Sequence, residues 1–223
     1  MSAGEHRAAS PGLSPEPEVR LLRVSEHAAD AARERPMLSD EERSRAEAFL
    51  RSVDRDRYLV AHTALRRELA ERLGTSPAEV PLTRADCPLC GGPHGRPSVP
   101  GDPLHFSLSH AGDLVLLAFA GRPVGVDVEQ EPEVSVVGNI ASALHPREHA
   151  ELTAAPERER PAAFARCWTR KEAYLKGTGT GLGENLSVTY VGSGAQPVSP
   201  DGWTLADVPV PSGYAAATAV SRS

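Results

Sequence analysis

LVLLAFAGRPVGVDVE, residues 114–129, decides the fold. Two short apolar runs, 114–120 and 124–129, are parted only by the tight Gly121-Arg122-Pro123 link, so both read as strands. Upstream, VRLLRVS (19–25) alternates like a strand and LHFSLSH (104–110) reads as another. LSDEERSRAEAFL (38–50) carries Ser39 and Glu42 at capping-box spacing and reads as a helix. DRYLVAHTALRRELAERLG (56–74) is a longer amphipathic helix closed by Gly74, and a loop rich in Pro and Gly spans about 75–103. Downstream the order repeats. Strand 124–129 leads to helical material around 134–154, a strong helix at about 161–176, and strands over LSVTYVG (186–192) and YAAATAV (214–220). The expected fold is α+β, a pseudo-twofold duplicate of two similar subdomains. Each is a small sheet packed with helices, and the active site lies in the cleft between them. The divisions are a disordered tail over 1–18, an N-terminal subdomain over 19–121 and a C-terminal one over 122–221.

An apolar fraction of 40% and a charged fraction of 24% are ordinary for a globular chain of 223 residues. No apolar run approaches a membrane span, and the start of the sequence has no signal-peptide pattern. Three cysteines fit a reducing, cytoplasmic setting. A net charge of −6 argues against nucleic acid as a partner.

In VGVDVE, Val124, Val126 and Val128 share one face of the strand, and Gly125, Asp127 and Glu129 share the other. The valines require a core. The glycine permits a close approach on the acidic face. Two neighbouring carboxylates there are either an exposed polar face or a site for a hard cation, with oxygen ligands suited to Mg²⁺. A third acid bears on the choice. In the helix begun by Pro161, the apolar stripe is Phe164, Trp168 and Leu175. Glu172 lies at its edge, and Lys176 follows four residues later on the same side. The chain holds only two lysines, Lys171 and Lys176, among 24 basic residues, and both fall in this segment. Carboxylates for a metal beside cations for an anion point to phosphate chemistry.

GVDVE, WTRKEAYLK (168–176) and the upstream FSLSH together resemble the motifs of 4′-phosphopantetheinyl transferases of the surfactin-synthetase-activating type, a monomeric and duplicated form. The resemblance runs from about Ser39 to Leu182. It implies transfer of the phosphopantetheine group from coenzyme A to a serine of an apo acyl or peptidyl carrier protein, leaving adenosine 3′,5′-bisphosphate. It further implies that Asp127, Glu129 and Glu172 hold Mg²⁺, with Glu172 also the candidate base for the serine. Lys176 would serve the leaving α-phosphate, and Lys171 would contact phosphate nearby. Ser109 and His110 match the family's Ser-His pair against coenzyme A phosphate. Gly95-Arg96-Pro97 matches its Gly-Lys/Arg-Pro, placing Arg96 near the 3′-phosphate. Arg45 and Arg57 fall at its basic positions in the first helices, while Glu42 departs from a lysine in relatives. By association the larger duplicated form points to carriers of secondary metabolism.

Two other segments read as structural. CPLC (87–90) resembles half a zinc knuckle, but no second C-x-x-C exists and His94 is the one further ligand in view, so a tight Gly-rich turn is expected. KGTGTGLG (176–183) follows a helix instead of preceding one, so it reads as a helix exit and not a phosphate cradle. Two rival functions stand beside the main reading. One is a magnesium-dependent phosphodiesterase or nuclease. The other is a non-catalytic carrier-protein binding module.

Overall fold

The computed structural model describes residues 16–223. The expected tail lies outside them as far as residue 15, and the first strand already begins at Glu18. β1 (Glu18–Arg23) leads directly into α1 (Val24–Arg33), α2 (Asp40–Glu47) and α3 (Ser52–Leu73). The following loop carries two-residue strands β2 (Thr83–Arg84) and β3 (Pro97–Ser98), and β4 (His105–Ala111) and β5 (Leu114–Ala120) close the first half. The second half runs β6 (Val124–Gln130), α4 (Val134–Ile140), α5 (Pro146–Ala154), α6 (Arg160–Thr178), β7 (Trp203–Asp207) and β8 (Tyr214–Ser221). The chain is α+β. Two three-stranded antiparallel sheets have the orders β1-β5-β4 and β6-β8-β7, so each first strand pairs with the third of its set.

Strand alternation assigns the core. On β5, Val115, Leu117 and Phe119 pack toward Leu59, Leu65 and Leu69 of α3. Its other face, Leu114, Leu116, Ala118 and Ala120, meets Val124, Val126 and Val128 of β6. The valine face therefore joins the two sheets, and the acidic face of β6 is turned to α6. At the seam the amide of Val126 donates to Ser107 Oγ at 3.0 Å, a side chain standing where a neighbouring strand would offer a carbonyl.

Three elements depart from expectation. α1 occupies residues that the alternation of 19–25 partly claimed for a strand. Its N-terminus is capped from the β4–β5 turn, where Asp113 Oδ1 accepts from the Ser25 amide at 2.8 Å across 88 residues of sequence. No local signal announces such a cap. The expected strand over 186–192 does not form. Its backbone is claimed by charged side chains instead: Val191 N–H donates to Glu148 Oε1, Gly192 O accepts from Arg170, and Thr189 O accepts from Lys171. With those groups satisfied, no sheet ladder is needed. β7 was not expected, because it is an edge strand on which only Leu205 is buried.

The capping box at Ser39 forms, and Glu42 does more than close it. Its carboxylate also accepts from Arg66 Nε at 2.7 Å and pairs with His62 at 3.1 Å. Burial alone would push this carboxyl up, but His62, the Ser39 amide and Arg66 hold it down at about 2. A lowered acid stabilises fully above its unfolded value of 4.5 and loses that contribution as pH falls toward about 2. Glu42→Gln should therefore cost about 1–3 kcal/mol at neutral pH. It should also flatten the acid limb of a urea-midpoint profile. An unchanged acid limb would assign it to other groups.

Candidate active site

The site begins with a close approach. A side chain on Gly125 would collide with the carbonyl of Ala173 and the amide of Gly177, so β6 and α6 meet backbone to backbone there. Two residues further along β6, Asp127 faces α6 and is buried at 2% exposure. Its Oδ1 accepts from Lys176 Nζ at 2.7 Å and from Ser109 Oγ at 2.7 Å. Lys176 Nζ also reaches Ser109 Oγ at 3.0 Å, so strand β4, strand β6 and helix α6 each give one member of this triangle.

Among the described residues, two buried carboxylate oxygens beside it have no partner, Asp127 Oδ2 and Glu172 Oε1. Burial pushes Asp127 up against the pull of Lys176 and Ser109. Burial and the charge of Asp127 push Glu172 up as well. Glu129 is raised to about 7 by burial, then by the charges of Asp127 and Glu172, with Lys176 opposing. Three acids thus share one field supplied with one lysine. Among the described residues their oxygens do not all close to within 4.8 Å, the spacing at which another group, Cys87, Cys90 and His94, is found.

His110 follows Ser109 on β4. Desolvation lowers its pKa, as do the charges of Arg57, His62 and Lys176. Arg57 is tied to the β4–β5 turn by Nε donating to Gly112 O at 2.8 Å. Arg96 donates from Nη1 to Gly177 O at 3.1 Å, one residue past Lys176, while Nη2 lies 3.0 Å from His105 Nδ1. Arg45 is exposed on α2, its charge felt by Tyr58.

A family model described as the 4′-phosphopantetheinyl transferase superfamily matches residues 123–196, which include all three acids and Lys176. The transferase HetI of Nostoc sp. is 30% identical over 189 residues, covering 82% of this chain and 78% of that protein. The chain belongs to the 4′-phosphopantetheinyl transferase family. Other members resemble it over shorter spans. Sfp of Bacillus subtilis is 28% identical over 147 residues, 65% of this chain and 62% of its own. A phosphopantetheinyl transferase of Thraustochytrium is 33% identical over 188 residues, 75% and 62%. The chain thus spans 62% of the length of these two relatives. Among the described residues no helix of this transferase-family chain is long and apolar enough to cross a membrane.

One expected site residue is elsewhere. Lys171 is buried, paired with Glu148 Oε2 at 2.8 Å and donating to Thr189 O, on the far side of α6. Helix geometry gives the reason: residues turn by about 100° each, so five steps separate Lys171 from Lys176 by about 140° around the axis. Four steps separate Glu172 from Lys176 by only about 40°. Lys171 is a structural cation. Its neighbour Arg170 is likewise structural, fully buried and bidentate to Asp207 at 2.6 and 2.7 Å. Ser107, inside FSLSH but given no role by the resemblance, sets the seam between β4 and β6. Its position two residues before Ser109 on an alternating strand was the available signal.

Proposed function

We propose that the protein transfers the 4′-phosphopantetheine group of coenzyme A to a serine of an apo acyl or peptidyl carrier protein. The observation that carries this reading is the triangle of Asp127, Lys176 and Ser109 beside the unpartnered oxygens Asp127 Oδ2 and Glu172 Oε1. Family membership favours it over nuclease or binding-module chemistry. The shared strand order of the two sheets supports pseudo-duplicate subdomains over 19–121 and 122–221, with the site at their seam. A monomer acting in the cytoplasm is sufficient for this chemistry.

In the proposed reaction the carrier serine oxygen attacks the β-phosphorus of the coenzyme A pyrophosphate. A bond forms from serine oxygen to β-phosphorus, and the bond from that phosphorus to the bridging oxygen breaks. Adenosine 3′,5′-bisphosphate leaves with the electron pair. Glu172, raised by burial, suits the receipt of the serine proton, directly or through water. Asp127, Glu129 and Glu172 would hold Mg²⁺. The fit rests on the two orphan oxygens and on an all-carboxylate donor set. When bound, the ion supplies charge neutralisation at the pyrophosphate oxygens. Lys176, partly exposed at 31%, can turn from Asp127 to the leaving phosphate. His110, Arg57 and Arg96, the last held to Gly177 O beside Lys176, are our candidates for the remaining phosphates, with Arg45 a further one.

Incubation with coenzyme A, Mg²⁺ and an apo carrier should raise the carrier's mass by one phosphopantetheine. Carrier left unmodified while coenzyme A is hydrolysed would overturn the proposal in favour of a phosphodiesterase. Lys176→Arg should keep coenzyme A binding but lose at least about tenfold in kcat, because a planar guanidinium cannot replace a compact ammonium between Asp127 and Ser109. Single-turnover transfer at saturating coenzyme A checks this. A wild-type rate would reduce Lys176 to a bulk charge.

A further inference from the structure

The CPLC loop folds as the tight Gly-rich turn expected of it, and that turn gathers three ligand atoms. Cys87, Cys90 and His94 bring one ligand atom each to within 4.8 Å of one another. Cys90 Sγ and His94 Nε2 are 3.0 Å apart. The backbone sets this arrangement in advance. Gly91 N–H donates to Cys87 O at 2.7 Å, Cys87 N–H to Gly92 O at 2.8 Å, and His94 N–H to Gly92 O at 2.8 Å. The amides of Leu89 and Cys90 are also directed at the Cys87 sulfur. Gly91 adopts φ 71°, a left-handed turn that favours glycine. Gly92 matters in another way: a Cβ there would lie 2.9 Å from His94 Cδ2, 3.0 Å from Nε2 and 3.4 Å from Cys90 Sγ. The missing side chain leaves a hollow between the imidazole and the thiol.

We propose that Cys87, Cys90 and His94 form a Zn²⁺ site. Two thiolates and an imidazole are soft and borderline donors, suited to zinc and unsuited to the hard ion proposed for the carboxylates. Three protein ligands leave a fourth position, and since Cys90 and His94 are exposed, solvent can supply it. A second C-x-x-C is not required for such a site. A ligand four residues after Cys90 was already within reach once two glycines folded the chain back.

The site stands where it can stiffen the loop against α6. Pro88 and Leu89, between the two cysteines, pack beside Gly179 and Gly183 in the exit from α6. Arg96, two residues past His94, holds Gly177 O. Closing the knuckle with a metal would fix the loop that presents Arg96 without touching the carboxylates.

The test is metal binding, and it is independent of catalysis. Protein purified under reducing conditions without chelator should contain about one zinc per chain by elemental analysis. Demetallated protein titrated with Co²⁺ should develop thiolate-to-cobalt charge-transfer absorption and the visible bands of a tetrahedral ion. Cys90→Ser and His94→Gln replace exposed residues, so both should fold, yet each should weaken Co²⁺ binding at least about tenfold to a hundredfold. The double variant Cys87→Ser/Cys90→Ser should abolish the charge-transfer band. Wild-type protein with free thiols, no zinc and no cobalt spectrum would overturn the proposal. So would cobalt bands that persist in the double variant, or a Cys87–Cys90 disulfide in place of metal under the same reducing conditions.

Discussion

Asp127→Ala should lower kcat/KM for transfer at least about 10³-fold, equivalent to about 4 kcal/mol, while the chain stays folded. The loss follows from position. Asp127 Oδ1 orders both Lys176 and Ser109, and its other oxygen is one of the two unpartnered atoms proposed for the metal. The variant removes the link between β4, β6 and α6 as well as a ligand. The fold should survive because the carboxylate is a burden where it stands. Burial raises its pKa despite the lysine, and Lys176 at 31% exposure can be solvated once its partner is gone. Asp127→Asn, nearly the same size, should lose a comparable amount. Steady-state transfer assays, with circular dichroism and thermal melting as controls, decide the matter. Normal turnover by either variant in Mg²⁺ would remove Asp127 from the site.

Gly125→Ala should destabilise the chain by at least about 3 kcal/mol, at or beyond the upper end for overpacked cores. A methyl group there meets the Ala173 carbonyl and the Gly177 amide, both backbone atoms of α6, and neither can move as a flexible side chain would. Relief requires α6 to shift away from β6. That shift would also pull Glu172 and Lys176 from Asp127, so activity and stability should fall together. Gly138 in α4 is the matched control, because among the described residues a Cβ there meets nothing within 4 Å. Gly138→Ala should be neutral or stabilising by about 0.5–1 kcal/mol. Urea midpoints for the two variants give the comparison. Equal midpoints would show that the close approach at Gly125 carries no energy.

Much of this site was legible in one dimension. Alternation placed Asp127 and Glu129 together opposite the valines, and the structure keeps that division. The i to i+4 spacing placed Glu172 and Lys176 on one side of a helix. The glycine before Asp127 announced a close neighbour, although not that the neighbour was α6. Lys171 could have been excluded by the same helical geometry, and rarity of lysine in the chain was a weaker argument than its angle around the axis. The strand expected at 186–192 had the right residues for a ladder. Its backbone groups were satisfied by Glu148, Arg170 and Lys171, residues remote in sequence.

The sequence by itself determined which residues share a face, where most elements begin and end, and which family the motifs resemble. These are local properties, set by periods of two and about 3.6 residues and by capping groups a few positions away. Only the tertiary structure decided which charge meets which. It gave Lys176 to Asp127 and Lys171 to Glu148, set Asp113 over the start of α1, and folded His94 back onto Cys90. A charged side chain in the interior takes whichever partner packing brings within about 3 Å, and no local period encodes that choice.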